Sequence, residues 1–396
     1  MTIFKISRFL IFSCLIIYSF FPMQAQEMKE VNHYGENPSL KDAVLIYYGG
    51  SERRLNWTRE QFVPYVTHTF QDGRKTWFFP GFIFLEFAVD GKSLIHLNDP
   101  NATYSTQQEW LKLLEKTFAK NYALDALDKC IEQQKKELGT PPFKHKVILP
   151  IPSPVSRQKK WGSVFGKKQD FGKSNDRFNA IKWFISEMLN EFSKAKYRNI
   201  VLDGFYWVEE EMGFNNDIMP QVISCIKSHN KKAYWIPFYT ARGSWIYYYF
   251  GFDYVYIQPN YFFNLKFTES RFLKTLENAH KLGWGLEIEF DDKLFYKPSV
   301  FVPRLKKYID LFEEKGVYRQ QAAITYYDGG STLWNLYSGK YPYSVTVQEE
   351  KSIKNQIDRM AQHVVERNGT RELIKFKNKK SNQKSKDWQS PEYWHF

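Results

Sequence analysis

Trp284-Gly285-Leu286-Glu287-Ile288-Glu289-Phe290-Asp291-Asp292 begins like a buried strand and ends in carboxylates. Side chains alternate along a strand, so Glu287 and Glu289 share one face while Leu286, Ile288 and Phe290 share the other. The bulky apolar set suits a layer of helices outside a barrel, which leaves the two glutamates facing the barrel axis. A buried carboxylate without a partner is costly, so acids in such a place need a reason, and catalysis is one. Leu202-Asp203-Gly204-Phe205-Tyr206-Trp207-Val208-Glu209-Glu210-Glu211 has the same character. Here Asp203, Phe205 and Trp207 are expected on one face and Tyr206 on the other, with the strand giving way to loop at Val208. Like charges repel strongly in a dry site, so one of the three glutamates is expected to enter it, Glu210 ahead of Glu209.

Outward from these two stretches, apolar and aromatic runs recur at 43–48, 77–87, 146–150, 199–207, 232–239, 254–258, 285–290 and 322–327. Helix-like text lies between them, at 59–66, 106–118 with 123–137, 176–195, 217–229, 244–250, 269–282 and 303–315. Strands alternating with helices argue for a parallel sheet, and eight such units in about 300 residues argue for a closed α/β architecture, the (β/α)8 or TIM barrel. The expected organisation is a secretory signal at 1–26, the barrel at 27–344, a C-terminal helix packed on its wall at 345–376 and a poorly ordered basic tail at 377–396. The signal reading rests on Lys5 and Arg8, the apolar run 9–21 and Gln24-Ala25-Gln26. Export to the periplasm or the extracellular space follows from it. The apolar run continues past Cys14, which argues against a lipid anchor there, and no later run reaches the ~20 apolar residues of a membrane helix.

Aromatic residues make up 18% of the chain, more than a core of this size needs, and exposed rings serve as stacking platforms for sugars. A formal charge of +13 favours an anionic partner, and export argues against nucleic acid. Past residue 26 only Cys130 and Cys225 remain, both in helical text, so thiols rather than a disulfide are expected. Histidines show no paired spacing, and neither a Gly-rich phosphate fingerprint nor a Gly-x-Ser-x-Gly elbow occurs, so no metal and no cofactor are expected.

In a (β/α)8 barrel the site is assembled where the strands end. The strand-terminal residues Tyr48, Glu86, Tyr206, Trp207, Tyr239, Gln258, Asn260, Tyr326 and Asp328 are therefore the candidates for holding a substrate, with the Gly49-Gly50 turn beside them. The long connection 153–175 carries Arg157, Lys159, Lys160, Lys167 and Lys168 around Trp161, a candidate clamp and stacking ring for an anionic chain.

Gly204-Phe205-Tyr206-Trp207-x-x-Glu210, together with Gly285-x-Glu287-x-Glu289-Phe290-Asp291 and Gln258-Pro259-Asn260-Tyr261, resembles the bacterial family known as domain of unknown function 4855 across most of 42–337. In architecture the chain also resembles the retaining clan A barrel hydrolases, a resemblance that implies an acid/base Glu after strand four and a nucleophilic Glu on strand seven. Glu209, rather than the usual Asn of that clan, precedes Glu210.

The chemistry expected is glycoside hydrolysis, retaining in outcome, in which one carboxyl protonates the leaving oxygen and another attacks the anomeric carbon. Glu210 takes the first role and Glu289 the second, with Glu209 and Glu287 as the neighbouring alternatives. The partner is a polysaccharide or oligosaccharide, neutral or anionic. Two other readings remain open at this point: a non-catalytic carbohydrate-binding barrel, and a lyase acting on an anionic glycan.

Overall fold

Eight parallel strands close into a barrel: β1 (Asp42–Tyr47), β2 (Gly81–Leu85), β3 (His145–Ile151), β4 (Ile200–Trp207), β5 (Lys232–Trp235), β6 (Tyr254–Ile257), β7 (Gly285–Glu289) and β8 (Ile324–Tyr327). Each pairs with the next in sequence, and β8 returns to β1 with Asp42 opposite Ile324 and Val44 opposite Tyr326. The computed structural model describes residues 31, 33–34, 38–48, 55–369 and 374–375. The expected signal at 1–26, the Gly49-Gly50 turn and the tail at 377–396 lie outside the described residues.

Strand parity sorts the core into two layers. Val44, Ile46, Phe82, Phe84, Leu286 and Ile288 face outward and pack against the helices. Ala43, Leu45, Ile83, Leu85, Ile148 and Tyr206 face inward and fill the cylinder. Each large side chain so buried contributes about 1.5–3 kcal/mol, which offsets the entropy of ordering the chain. With apolar residues on both faces, the strands read in sequence as continuous runs rather than alternations.

β4 departs from simple alternation. Its register against β3 shifts between Leu202 and Gly204, a bulge that separates Asp203 from the face of Phe205 and Trp207. Asp203 instead turns to the lower end of the barrel, where Lys146 Nζ lies 2.9 Å and Lys232 Nζ 3.9 Å away and the Tyr234 hydroxyl donates to it. Gly204 is required at the bulge because a Cβ there would meet the Lys232 carbonyl oxygen at 2.1 Å and the Tyr234 ring at 2.7 Å. Gly204→Ala is expected to cost about 1–3 kcal/mol by prising β4 from β5, read as a lower urea midpoint; an unchanged midpoint would contradict this packing.

The Val347–Arg367 helix opens on a Thr346/Glu349 capping box and lays Ile353, Ile357, Met360, Ala361 and Val364 on the barrel wall. Its last residue, Arg367, reaches under the barrel. There its Nε lies 3.2 Å from Asp42 Oδ2 and both side chains are buried. Among the described residues no helix is long and apolar enough to cross a membrane.

Several local expectations differ from the structure. The 77–87 run divides: Arg74–Trp77 pairs with Thr67–Thr69 in an antiparallel hairpin, and only Gly81–Leu85 enters the barrel. The 59–66 helix reduces to a single turn, Val63–Val66, before that hairpin. The 153–175 connection contains a small hairpin, Gly162–Val164 with Lys167–Gln169, turning at Phe165 and Gly166, both at positive φ. An unexpected helix, Thr332–Ser338, follows β8. Cys130 is buried and Cys225 half-buried, and both are free thiols.

Candidate active site

At the ends of the strands, a cavity of about 270 Å³ opens on the barrel axis. β4 and its following loop contribute Tyr206 and Glu210, the turn after β6 contributes Gln258 and Asn260, and β7 contributes Glu287 and Glu289. Tyr47 and Leu45 of β1, Leu85 and Phe87 from β2, Phe263 and Tyr327 form the remaining wall. Three glutamates therefore meet aromatic and aliphatic surface in one concavity.

The three acids differ in what donates to them. Glu289 accepts from the Tyr308 hydroxyl, which comes from the Pro298–Glu314 helix, and the nearby Asn260 and Tyr261 amides favour its charged form. Asn260 is left-handed at φ 54°, a conformation asparagine tolerates well, and successive amides at such a residue form an anion-binding concavity. Tyr308 is itself held, since its oxygen accepts from the Tyr261 amide at 3.2 Å. Glu287, one alternation further from the mouth, accepts from Thr325 Oγ1 at 3.1 Å. Glu210 accepts from the Gln258 amide at 3.0 Å, and that same amide nitrogen donates to the Ile236 carbonyl, also at 3.0 Å.

Burial dominates their proton affinities. It raises the Glu289 carboxyl to about 8, against the pull of Tyr308 and the Asn260 amide. Glu287 is raised well above the usual carboxylate range, first by burial and then by the charge of Glu289. Glu210 is raised too, by burial, with Gln258 opposing. The set takes up charge one proton at a time. Charge on Glu210 raises Glu289 further, so these carboxyl groups do not ionise independently.

Glu209 faces away from this cavity. His96 donates its backbone N–H to Glu209 Oε2 at 3.1 Å, the His96 Nδ1 lies 3.1 Å from the same oxygen, and the Trp235 indole donates to the Glu209 carbonyl at 2.7 Å. That clamp on the Glu209 backbone leaves Glu210 to face inward.

Other expected binding residues go elsewhere. Tyr48 and Tyr326 belong to the outer layer, where Tyr48 meets Thr117 Oγ1 at 2.6 Å and Tyr326 donates to Asp42 Oδ1 at 2.7 Å. Trp207 is outward and buried as well. Glu86 accepts from the Phe87 amide at 2.9 Å. Asp328 is enclosed at the start of the Thr332–Ser338 helix, accepting from Tyr65 at 2.6 Å and from the Gly330 and Leu333 amides. Trp161 is 2% exposed, packed between Trp110 and Phe171, and its basic loop does not line the cavity. Tyr239 lies beside Arg271, whose guanidinium sits 4.7 Å from its ring.

Of the expected set, then, Glu210, Glu287, Glu289, Tyr206, Gln258 and Asn260 are brought together. Tyr47, Tyr327, Phe87, Phe263 and Tyr308 were not anticipated. The first two are the immediate neighbours of residues that were, and strand parity carried through the β7–β8 register, with Glu289 opposite Tyr327, is the signal that finds Tyr327.

Fold and site together define a TIM barrel with an acid-lined cavity at the end where barrels of this kind carry their chemistry. The chain belongs to the family described as Domain of unknown function (DUF4855), whose family model matches residues 42–352. No curated protein matches the chain. Among solved structures it is similar to tryptophan synthase subunit alpha from Legionella pneumophila str. Paris, at 10% identity and a TM-score of 0.35, over 82% of this chain and 92% of that one.

Proposed function

We propose that this protein is an exported glycoside hydrolase that cleaves a polysaccharide or oligosaccharide through Glu210 and Glu289. The observation that carries the reading is the entry of these two carboxyl groups, from the loop after β4 and from β7, into one cavity with different donors, an amide at Glu210 and a tyrosine hydroxyl at Glu289. Glu289, with the Tyr308 hydroxyl and the Asn260 and Tyr261 amides favouring its charged form, takes the role of the group that attacks the anomeric carbon. Glu210, whose carboxyl is raised by burial and held by the Gln258 amide, takes the role of the acid that gives its proton to the glycosidic oxygen as the bond breaks. Charge on Glu289 strengthens the hold of Glu210 on its proton, since two anions in a dry cavity repel. A water deprotonated by Glu210 then releases the sugar from Glu289, regenerating both groups. Export rests on the signal-like residues 1–26.

Glu210→Gln separates the acid role from general damage. A sugar leaving group needs the proton and a nitrophenolate does not, so kcat/KM is expected to fall about 10²–10⁴-fold for an oligosaccharide and far less for a nitrophenyl glycoside. Equal losses on both would contradict the assignment.

The acidic limb of the pH profile is expected high, because Glu289 must be ionised to attack and burial raises its carboxyl to about 8. Tyr308→Phe removes a donor that favours the charged form and is expected to move that limb about one unit higher. An unmoved limb would remove Tyr308 from the account.

A further inference from the structure

Hydrolysis of a glycoside needs two carboxyl groups, and this cavity holds three. Among the described residues no cationic side chain lines it. Arg271 stacks over Phe267 and Tyr239, at 3.4 and 4.7 Å from the ring centroids. Lys293 lies 4.9 Å from the Phe263 ring and is paired with Asp291 at 3.4 Å. The basic residues of the 153–175 connection do not line the cavity. Glu287 is 2% exposed and has a single hydroxyl donor, Thr325.

A second observation is independent of the acids. Tyr206 is 1% exposed, lines the same cavity, and its hydroxyl has no hydrogen-bond partner among the described residues. A buried hydroxyl left open in this way is a place for a ligand's polar group. The aromatic walls add to the preference, since the faces of tyrosine and phenylalanine rings attract cations.

We infer that the cavity takes a sugar bearing a free ammonium, an unacetylated amino sugar, with the cation paired to Glu287 and the Tyr206 hydroxyl meeting a polar group of the same ring. A uronate would bring a further anion among three carboxyl groups. An N-acetyl or plain hydroxyl group would bring no cation for Glu287 to ionise against. Among the described residues no group of three His, Cys, Asp or Glu side chains is placed to hold a metal ion. The sugar itself rests on the hydrolase reading; the preference for an ammonium does not.

The test is calorimetric titration at pH 7 with methyl glycosides of glucosamine and galactosamine, beside their N-acetyl and 2-hydroxy counterparts, in two buffers of different ionisation enthalpy. At least one amine is expected to bind about tenfold or more tighter than its neutral counterparts, releasing protons as Glu287 ionises against it. Glu287→Gln is expected to abolish both the preference and the proton release without lowering the melting temperature. Binding of acetylated or neutral sugars as tight as that of the amines, or no binding of any of them, would overturn the inference. An amine that binds but is never released from any glycan would sink the hydrolase reading and leave this one standing, whereas turnover of a neutral glycan without amine preference would do the reverse.

Discussion

Glu289→Gln is expected to lower kcat on the order of 10³-fold or more on any glycan the protein cleaves, and in the same molecule to raise the melting temperature at pH 8. Both effects come from burial. In the unfolded chain a glutamate titrates near the ordinary value of about 4.3, whereas burial raises Glu289 to about 8 in the fold. A carboxyl whose proton affinity is higher in the folded state supports the fold fully below the unfolded value, and that support is lost as pH rises through the folded one. By pH 8 the wild type has therefore given up about 5 kcal/mol that an uncharged glutamine does not lose. The gain should shrink to about 1 kcal/mol at pH 5 and vanish below the unfolded value. Thermal melts of both proteins at pH 5 and pH 8 check it, and a variant less stable than wild type at pH 8 would contradict the buried, raised carboxyl.

Arg367→Met is expected to cost about 3–5 kcal/mol, the largest stability loss of any substitution considered. Arg367 ties the C-terminal helix to the underside of the barrel: its Nε meets Asp42 Oδ2 at 3.2 Å, and its remaining N–H groups donate to backbone carbonyls including Ala322 and Tyr318. Asp42 has other donors, Tyr326 at 2.7 Å and Asn368 at 2.7 Å, but neither is a cation. Removing the guanidinium leaves a fully buried carboxylate without counter-charge. The double variant Asp42→Asn with Arg367→Met is expected to recover part of the loss, because both charges then leave together. Urea denaturation at pH 7 measures all three, and a single variant within about 0.5 kcal/mol of wild type would show that the latch contributes nothing.

The barrel was legible because its strands are buried on both faces, which writes them as eight apolar runs with helical text between. The inward facing of Glu287 and Glu289 was legible for a different reason: on β7 acids alternate with Leu286 and Ile288, so parity has contrast. Elsewhere it has none. Tyr47 and Tyr48, Tyr206 and Trp207, and Tyr326 and Tyr327 are adjacent aromatic pairs, and nothing in composition says which member faces the axis. Tyr206 faces inward while its neighbour Trp207 packs outward, and the cavity takes Tyr47 and Tyr327 rather than Tyr48 and Tyr326. The bulge before Gly204 lay hidden for the same reason, being a close approach of the Lys232 carbonyl that no pattern of side chains announces. Choosing between Glu209 and Glu210 rests in the fold on contacts from His96 and Trp235, remote in sequence. Tyr308 comes from a helix, with its ring packed against Phe272 and only its hydroxyl reaching Glu289. Trp161 shows how composition misleads: a tryptophan in a basic loop looked like a stacking ring, yet the hairpin after it folds it into the core.

The most direct test of the paired carboxyl groups is the release of new reducing ends from a panel of neutral, acidic and amino-sugar polysaccharides by the purified wild type and by Glu210→Gln and Glu289→Gln. Release by the wild type from at least one of them, lost in both variants while both still fold, is the predicted result. A wild type that frees none, or a variant that cleaves as fast as its parent, would contradict it.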